Sequence, residues 1–179
     1  DPLATGLLIL CTGKMTKKIA DIQSENKKYC GSITLGGSTP SYDLETEVNT
    51  NYQTSHITEN LIFKASSSFL GEINQKPPIF SALRKDGERM YEKARRGEKV
   101  VMKSRKVKIH EFNITSINNL TVYFEITCSK GTYIRSIAND FGVKLNTGGY
   151  LSSLKRISIG DYNLSESTTI EDFEKQLFN

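Results

Sequence analysis

The chain of 179 residues has three cysteines, Cys11, Cys30 and Cys128, and no two of them stand close enough to make a Cys-x-x-Cys unit. An odd number of scattered thiols excludes a disulfide framework and a zinc knuckle, and points to reduced cysteines in a cytoplasm. Histidine is almost absent: His56 and His110 stand apart and read as surface or strand residues, so no metal site is expected. No apolar run approaches the roughly 20 residues that a membrane-spanning helix needs, so no membrane association is expected. The sequence contains no internal repeat or low-complexity tract, and no signal-peptide pattern opens it as given.

Present instead is a hydrophobic fraction of 37 %, over a length that suits one domain with a proper core. The net charge of +4 is unevenly spread: between positions 84 and 108 eleven Lys or Arg stand against four acids, a surplus of +7 that leaves −3 for the remainder. A basic block on a mildly acidic body is the pattern of a surface that docks a polyanion. A solvated helix face with its own neutralising acids has the same composition.

Hydrophobic periodicity predicts several helices. Residues 14–26 carry Met15, Ile19, Ala20 and Ile22 at helical spacing, and residues 58–70 form a core helix with Thr58 as N-cap and Gly71 as terminator. A short helix over 89–96 ends at Gly97, a longer one over 133–145 points Ile134, Ile137, Ala138 and Phe141 inward, and an amphipathic one covers 169–178. Alternation predicts strands over 29–35, 107–114, 120–127 and 154–159, with Asn118-Asn119 as a hairpin turn. The apolar run Leu7 to Leu10 reads as a buried strand, and residues 79–83, after Pro77-Pro78 and before an Asp86-Gly87 turn, as a short edge strand. The polar loop after Gly36-Gly37 is expected to have no packed structure of its own.

The stretch with most chemistry is DPLATG, residues 1–6. Pro2 holds its predecessor out of a helix, so Asp1 can present its carboxylate to an open cleft, while Thr5 and Gly6 suit a tight turn. Taken alone, Asp-Pro is also an ordinary turn signal.

DPLATG, followed by the apolar run and by Gly13, Thr16 and Lys17, resembles the LDPxATGxLxxxxGxxTK segment of the bacterial tRNA pseudouridine-55 synthases. Further blocks of similarity follow in the same order: Lys27 and Tyr29 ahead of Leu35 and Gly36, PPIFSALRKDGERMYEKARRG over 77–97, CSKGTYIRSIANDFG over 128–142, and LKRISIG from Leu154. The resemblance implies an α+β fold with a mixed, mostly antiparallel sheet and flanking helices. It implies an isomerase that converts the uridine at position 55 of the tRNA T-loop into pseudouridine, working as a monomer with no cofactor. Asp1 matches the family's catalytic aspartate, Arg135 its guanidinium partner and Tyr29 the ring that stacks on a turned-out base. Tyr133 and Leu154 match further pocket-wall positions, and Lys17, Lys27, Arg95 and Arg96 are the expected contacts to the T-arm.

On the same basis the chain is expected to be a single catalytic domain over residues 1–179, incomplete at its amino end, with a basic RNA-contacting insertion at about 77–104 and without the carboxy-terminal RNA-binding domain of many relatives. The resemblance also implies a strand and a GHxGTL segment ahead of the aspartate. One departure concerns the family's TDTxDxxG loop, where Asp43 matches the second aspartate and Pro40 replaces the first. Without the resemblance, Tyr29 and Tyr133 read as half-buried rings, Arg135 as a surface ion-pair partner and Leu154 as core. A non-catalytic tRNA-binding or tRNA-folding module would share the basic block without needing Asp1 to meet Arg135. Tyr133 and Arg135 share a face only where the backbone around them stays extended.

Overall fold

The computed structural model describes residues 1–49, 52–81, 83–85, 88–98 and 102–178, with the backbone alone for Arg84, Lys85, Arg89, Ala94, Arg95 and Phe178. Its strands are β1 (Thr5–Gly6), β2 (Lys27–Leu35), β3 (Gly71–Gln75), β4 (Arg84–Lys85), β5 (Glu88–Arg89), β6 (Arg105–Asn118), β7 (Thr121–Cys128), β8 (Gly149–Ile159) and β9 (Tyr162–Asn163). The helices are α1 (Ile19–Ser24), α2 (Glu59–Ser67), α3 (Met90–Arg95), α4 (Ile134–Lys144) and α5 (Ile170–Phe178). Seven strands form one sheet in the order β1-β8-β2-β7-β6-β3, with β9 on β8, while β4 and β5 pair separately. The short β1 runs parallel to β8 and the other strand pairings are antiparallel.

Alternation decides which face of the sheet is dry. Ile33 and Leu35 of β2, Val122, Phe124 and Ile126 of β7, and Leu151 and Leu154 of β8 are buried in one cluster with residues of α2 and α4. At its centre the rings of Phe69, Phe112, Phe124 and Phe141 lie 5.7–6.1 Å apart in edge-on and tilted pairs. The opposite face is polar, with a Lys28–Glu125 ion pair at 2.7 Å and Ser32 bonded to the hydroxyls of Ser152 and Ser153. Helix α4 lies against β8 so closely that a Cβ at Gly142 would come within 2.2 Å of Gly149 N.

Most predicted elements are present, including the Thr58 cap, which accepts from Leu61 N at 3.3 Å, and the hairpin turn, where Asn119 adopts φ +52°. Four expectations are corrected. Leu7–Leu10 is not a strand: Leu7 alone is buried, while Leu8 and Leu10 are 70 % and 80 % exposed, because β1 ends at Gly6 and among the described residues no neighbouring strand continues along them. Residues 14–26 divide into a 3-10 helix, Gly13–Lys18, and the short α1, neither with a buried residue. Among the described residues of 79–83 there is no strand; the outer partner of β6, on the side away from β7, is β3, whose polar sequence GEINQ conceals it. The loop after Gly37 is packed, with Thr39, Ser41 and Asp43 all buried. The Asp86-Gly87 turn lies outside the described residues.

Candidate active site

The segment carrying Asp1 is tied to the sheet by backbone. Ala4 N donates to Asp1 O at 3.2 Å to close a turn, Leu7 N donates to Arg156 O at 2.9 Å, and the Thr5 hydroxyl donates to Leu154 O at 3.4 Å. Gly6, at φ +97°, lies against β8 where a Cβ would sit 2.3 Å from Arg156 O. Only glycine permits both that dihedral and that approach.

Arg135 is the second residue of α4 and is almost entirely buried. Its Nε lies 3.3 Å from Asp1 Oδ2 and its Nη1 lies 3.2 Å from Asp43 Oδ2 and 3.3 Å from Ser41 O. The side chains of Arg135, Asp43 and Asp1 are 8 %, 3 % and 22 % exposed, so one guanidinium bridges a dry carboxylate and one open to a cleft. Asp43 is rigidly held. Its Oδ1 accepts from Glu45 N at 2.9 Å, its carbonyl accepts from the Thr39 and Ser41 hydroxyls, and Leu151 N ties Tyr42 O to β8 at 2.9 Å. Asp43 Oδ2 has no hydrogen bond of regular geometry, so the facing Arg135 charge offsets its burial.

The cleft beside this group has a volume of about 540 Å³, and its lining includes Asp1, Tyr29, Tyr133, Arg135, Leu154 and Arg156 together with residues 4–8. Five residues singled out from the sequence therefore meet in one place, across separations of more than a hundred positions. Tyr133 is extended (φ −96°, ψ 110°) and serves as the N-cap of α4, so the backbone turns helical between it and Arg135. Burial pushes the Tyr29 hydroxyl above its ordinary range, while the nearby Arg156 guanidinium opposes that rise. Arg156 also donates through Nε to Leu7 O at 2.8 Å, which links the cleft wall to the Asp1 segment. Neither Arg156 nor Asp43 was among the expected site residues. Arg156 was readable only as a charged residue inside a recognised block, and Asp43 only as the match to the second aspartate of a family loop.

The remaining expected contacts lie elsewhere. Lys17 is exposed on the 3-10 helix, and the Lys27 ammonium donates to Gln23 O and Glu25 O, both at 2.7 Å, at the end of α1. Burial, followed by the nearby Arg156 charge, lowers the Lys27 pKa. Arg96 pairs with Glu88 at 3.0 Å and with Glu98 at 2.8 Å, whereas the side chain of Arg95 lies outside the described residues. Among the described residues no group of three His, Cys, Asp or Glu could hold a metal ion, and no helix is long and apolar enough to cross a membrane.

A solved structure of a Cbf5-Nop10-Gar1 complex contains a chain that superimposes on 99 % of this one with a TM-score of 0.72, at 24 % identity and over 44 % of its own length. The architecture is thus the pseudouridine synthase fold. Residues 1–134 match the model of the TruB family pseudouridylate synthase (N terminal domain). The protein called tRNA pseudouridine synthase B of Flavobacterium johnsoniae is 54 % identical over 177 residues, 99 % of this chain and 77 % of the relative. Its namesake in Chloroherpeton thalassium is 49 % identical over 178 residues, covering 99 % of this chain and 74 % of the relative. The chain belongs to the TruB family of pseudouridylate synthases.

Proposed function

We propose that this chain isomerises uridine 55 in the T-loop of tRNA to pseudouridine, with Asp1 as the reacting carboxylate. The reaction breaks the bond from N1 to the sugar C1′, turns the base and joins C5 to C1′, while the proton on C5 departs and N1 gains one. Atoms and oxidation state balance without a redox partner. The carboxylate either attacks sugar or base directly, or carries charge while a glycal-like intermediate forms. The observation that carries this reading is the 3.3 Å contact of Asp1 Oδ2 with Arg135 Nε at the edge of an open cleft. Arg135 fixes the aim of the carboxylate, and Asp43 fixes Arg135 from behind.

A base that leaves its stack needs a surface to cover it, and Tyr29, Tyr133 and Leu154 are the rings and apolar wall available in the cleft. The basic segment from residue 77 to 104 supplies the salt-sensitive, sequence-independent part of RNA affinity in this reading. The free thiols of Cys11, Cys30 and Cys128 suit a reducing cytoplasm. Replacing Asp1 by Asn in the intact protein is expected to lower turnover on the order of 10⁴-fold, the scale seen when one member of a catalytic group is removed, with tRNA affinity preserved. Mass mapping of modified nucleotides and a binding isotherm measure the two. Undiminished turnover in that variant would remove Asp1 from its role and leave an RNA-binding module.

A further inference from the structure

Arg135 stands only one residue inside α4, so its direction depends on where the helix begins. Sliding the sequence by one residue through the helix start would turn each side chain by about 100° and carry Arg135 away from both carboxylates. The usual device that fixes such a start is missing, because the side chain of the N-cap residue, Tyr133, makes no capping hydrogen bond.

The hold comes from β3. Gln75, its last residue, is wholly buried. Its Nε2 donates to Tyr133 O at 3.0 Å, and Tyr133 N donates to its Oε1 at 2.8 Å. One side-chain amide thereby reproduces the pair of bonds that residues exchange in an antiparallel ladder, and it does so at the last extended residue before the helix. The next residue along, Lys76, accepts the Ser136 hydroxyl at 2.7 Å through its carbonyl. Arg105, which faces Gln75 across β3 and β6, completes the grip: its guanidinium lies over the Tyr133 ring at 4.5 Å and donates to Gly131 O.

We propose that Gln75 is a positioning residue for the isomerisation: by holding Tyr133 extended it sets the first residue of α4, and so keeps Arg135 on Asp1 and the Tyr133 ring in the cleft wall. Gln75 lies behind the cleft and acts through Tyr133, touching neither base nor sugar. The proposal rests on the reaction assigned above.

The test uses the intact protein with Gln75→Met, which preserves length and removes both bonds, and Gln75→Glu, which restores both only when its carboxyl is protonated. With Met, the single-turnover rate of pseudouridine formation is expected to fall about 10- to 100-fold, the cost of a small misplacement of reacting groups, while the Kd for tRNA stays within about twofold. With Glu, the rate relative to unsubstituted protein is expected to rise as pH is lowered, whereas the Met ratio stays flat. Unchanged rates in a folded Met variant, or rate losses that track a weakened tRNA affinity, overturn the proposal. If the Met variant does not fold, a pH-independent ratio for the Glu variant overturns it alone. A lack of product from the unsubstituted protein would instead refute the assigned reaction, so the two ideas fail separately.

Discussion

The cleft and the basic segment between β3 and β6 use charge in opposite ways. In the cleft a single guanidinium is buried between two carboxylates on rigid backbone, and its energy comes from exclusion of water. In the basic segment, Arg96 pairs with Glu88 and Glu98 through side chains about half open to solvent, and shares Glu88 with the more covered Lys93. Exposed pairs of this kind are each worth little and exchange readily for a phosphate. A dry pair fixes geometry, and a wet one leaves a cation available to a new anion. The two regions are suited respectively to aiming a carboxylate and to gripping a polyanion.

The largest expected effect lies on the dry side. Arg135→Met leaves Asp43 buried without its counter-charge, so chemical denaturation should show a loss of about 3–5 kcal/mol. Turnover should fall by on the order of 10³-fold. A double variant with Asp43→Leu should regain much of the stability and none of the turnover, because the desolvated charge is gone but the aim is not restored. Equal stability of Arg135→Met and the parent would place this group with the wet pairs and break the contrast.

Gly6→Ala comes next. The strained dihedral and the collision with Arg156 O should cost about 1–3 kcal/mol and lower turnover with it, since Asp1 is carried by the same backbone. Cys128 offers a titration of the dry side. Burial pushes its thiol from an ordinary value near 9 up to about 11. The folded pKa is the higher one, so the unfolded chain loses the proton first. This contribution to stability is full below about pH 9 and disappears between 9 and 11. Cys128→Ala should flatten that alkaline loss by on the order of 2 kcal/mol, read as the difference between two pH–stability curves. Smallest is the effect of neutralising Arg95 and Arg96 together. Affinity for tRNA should weaken modestly, and the slope of log K against log salt should shrink by roughly one for each phosphate that is no longer gripped. An unchanged slope would show that Arg96 remains committed to Glu88 and Glu98.

Legibility in the sequence followed the physics of each part. Of β8, which begins at Gly149, only 154–159 was legible, whereas strands β2 and β7 and helix α4 bury one face each, and alternation or helical spacing marks them plainly. Strand β3 does not, because Glu72 and Asn74 face outward and its buried end is a glutamine whose role is set by Tyr133. The apolar run Leu7 to Leu10 misled for the converse reason: hydrophobicity predicts burial only where a neighbour exists to provide it. In the site, Asp1, Tyr29, Tyr133, Arg135 and Leu154 were found through ordered motif blocks, yet no local pattern could bring positions 1 and 135 together. The loop at Asp43 packs against expectation, since Ser and Thr hydroxyls bonded to its own backbone look polar in the sequence.

Gln75 and Arg105 face each other across one ladder, so the chain leaves and re-enters the sheet at a single doorway. Residues 77–104 leave and return through that doorway, and the segment is anchored to the body by the buried Pro78, Ser81 and Met90. A cut at that doorway would separate the cleft from the segment to which the proposed reading assigns RNA contact, at the cost of the surface that Pro78, Ser81 and Met90 now bury.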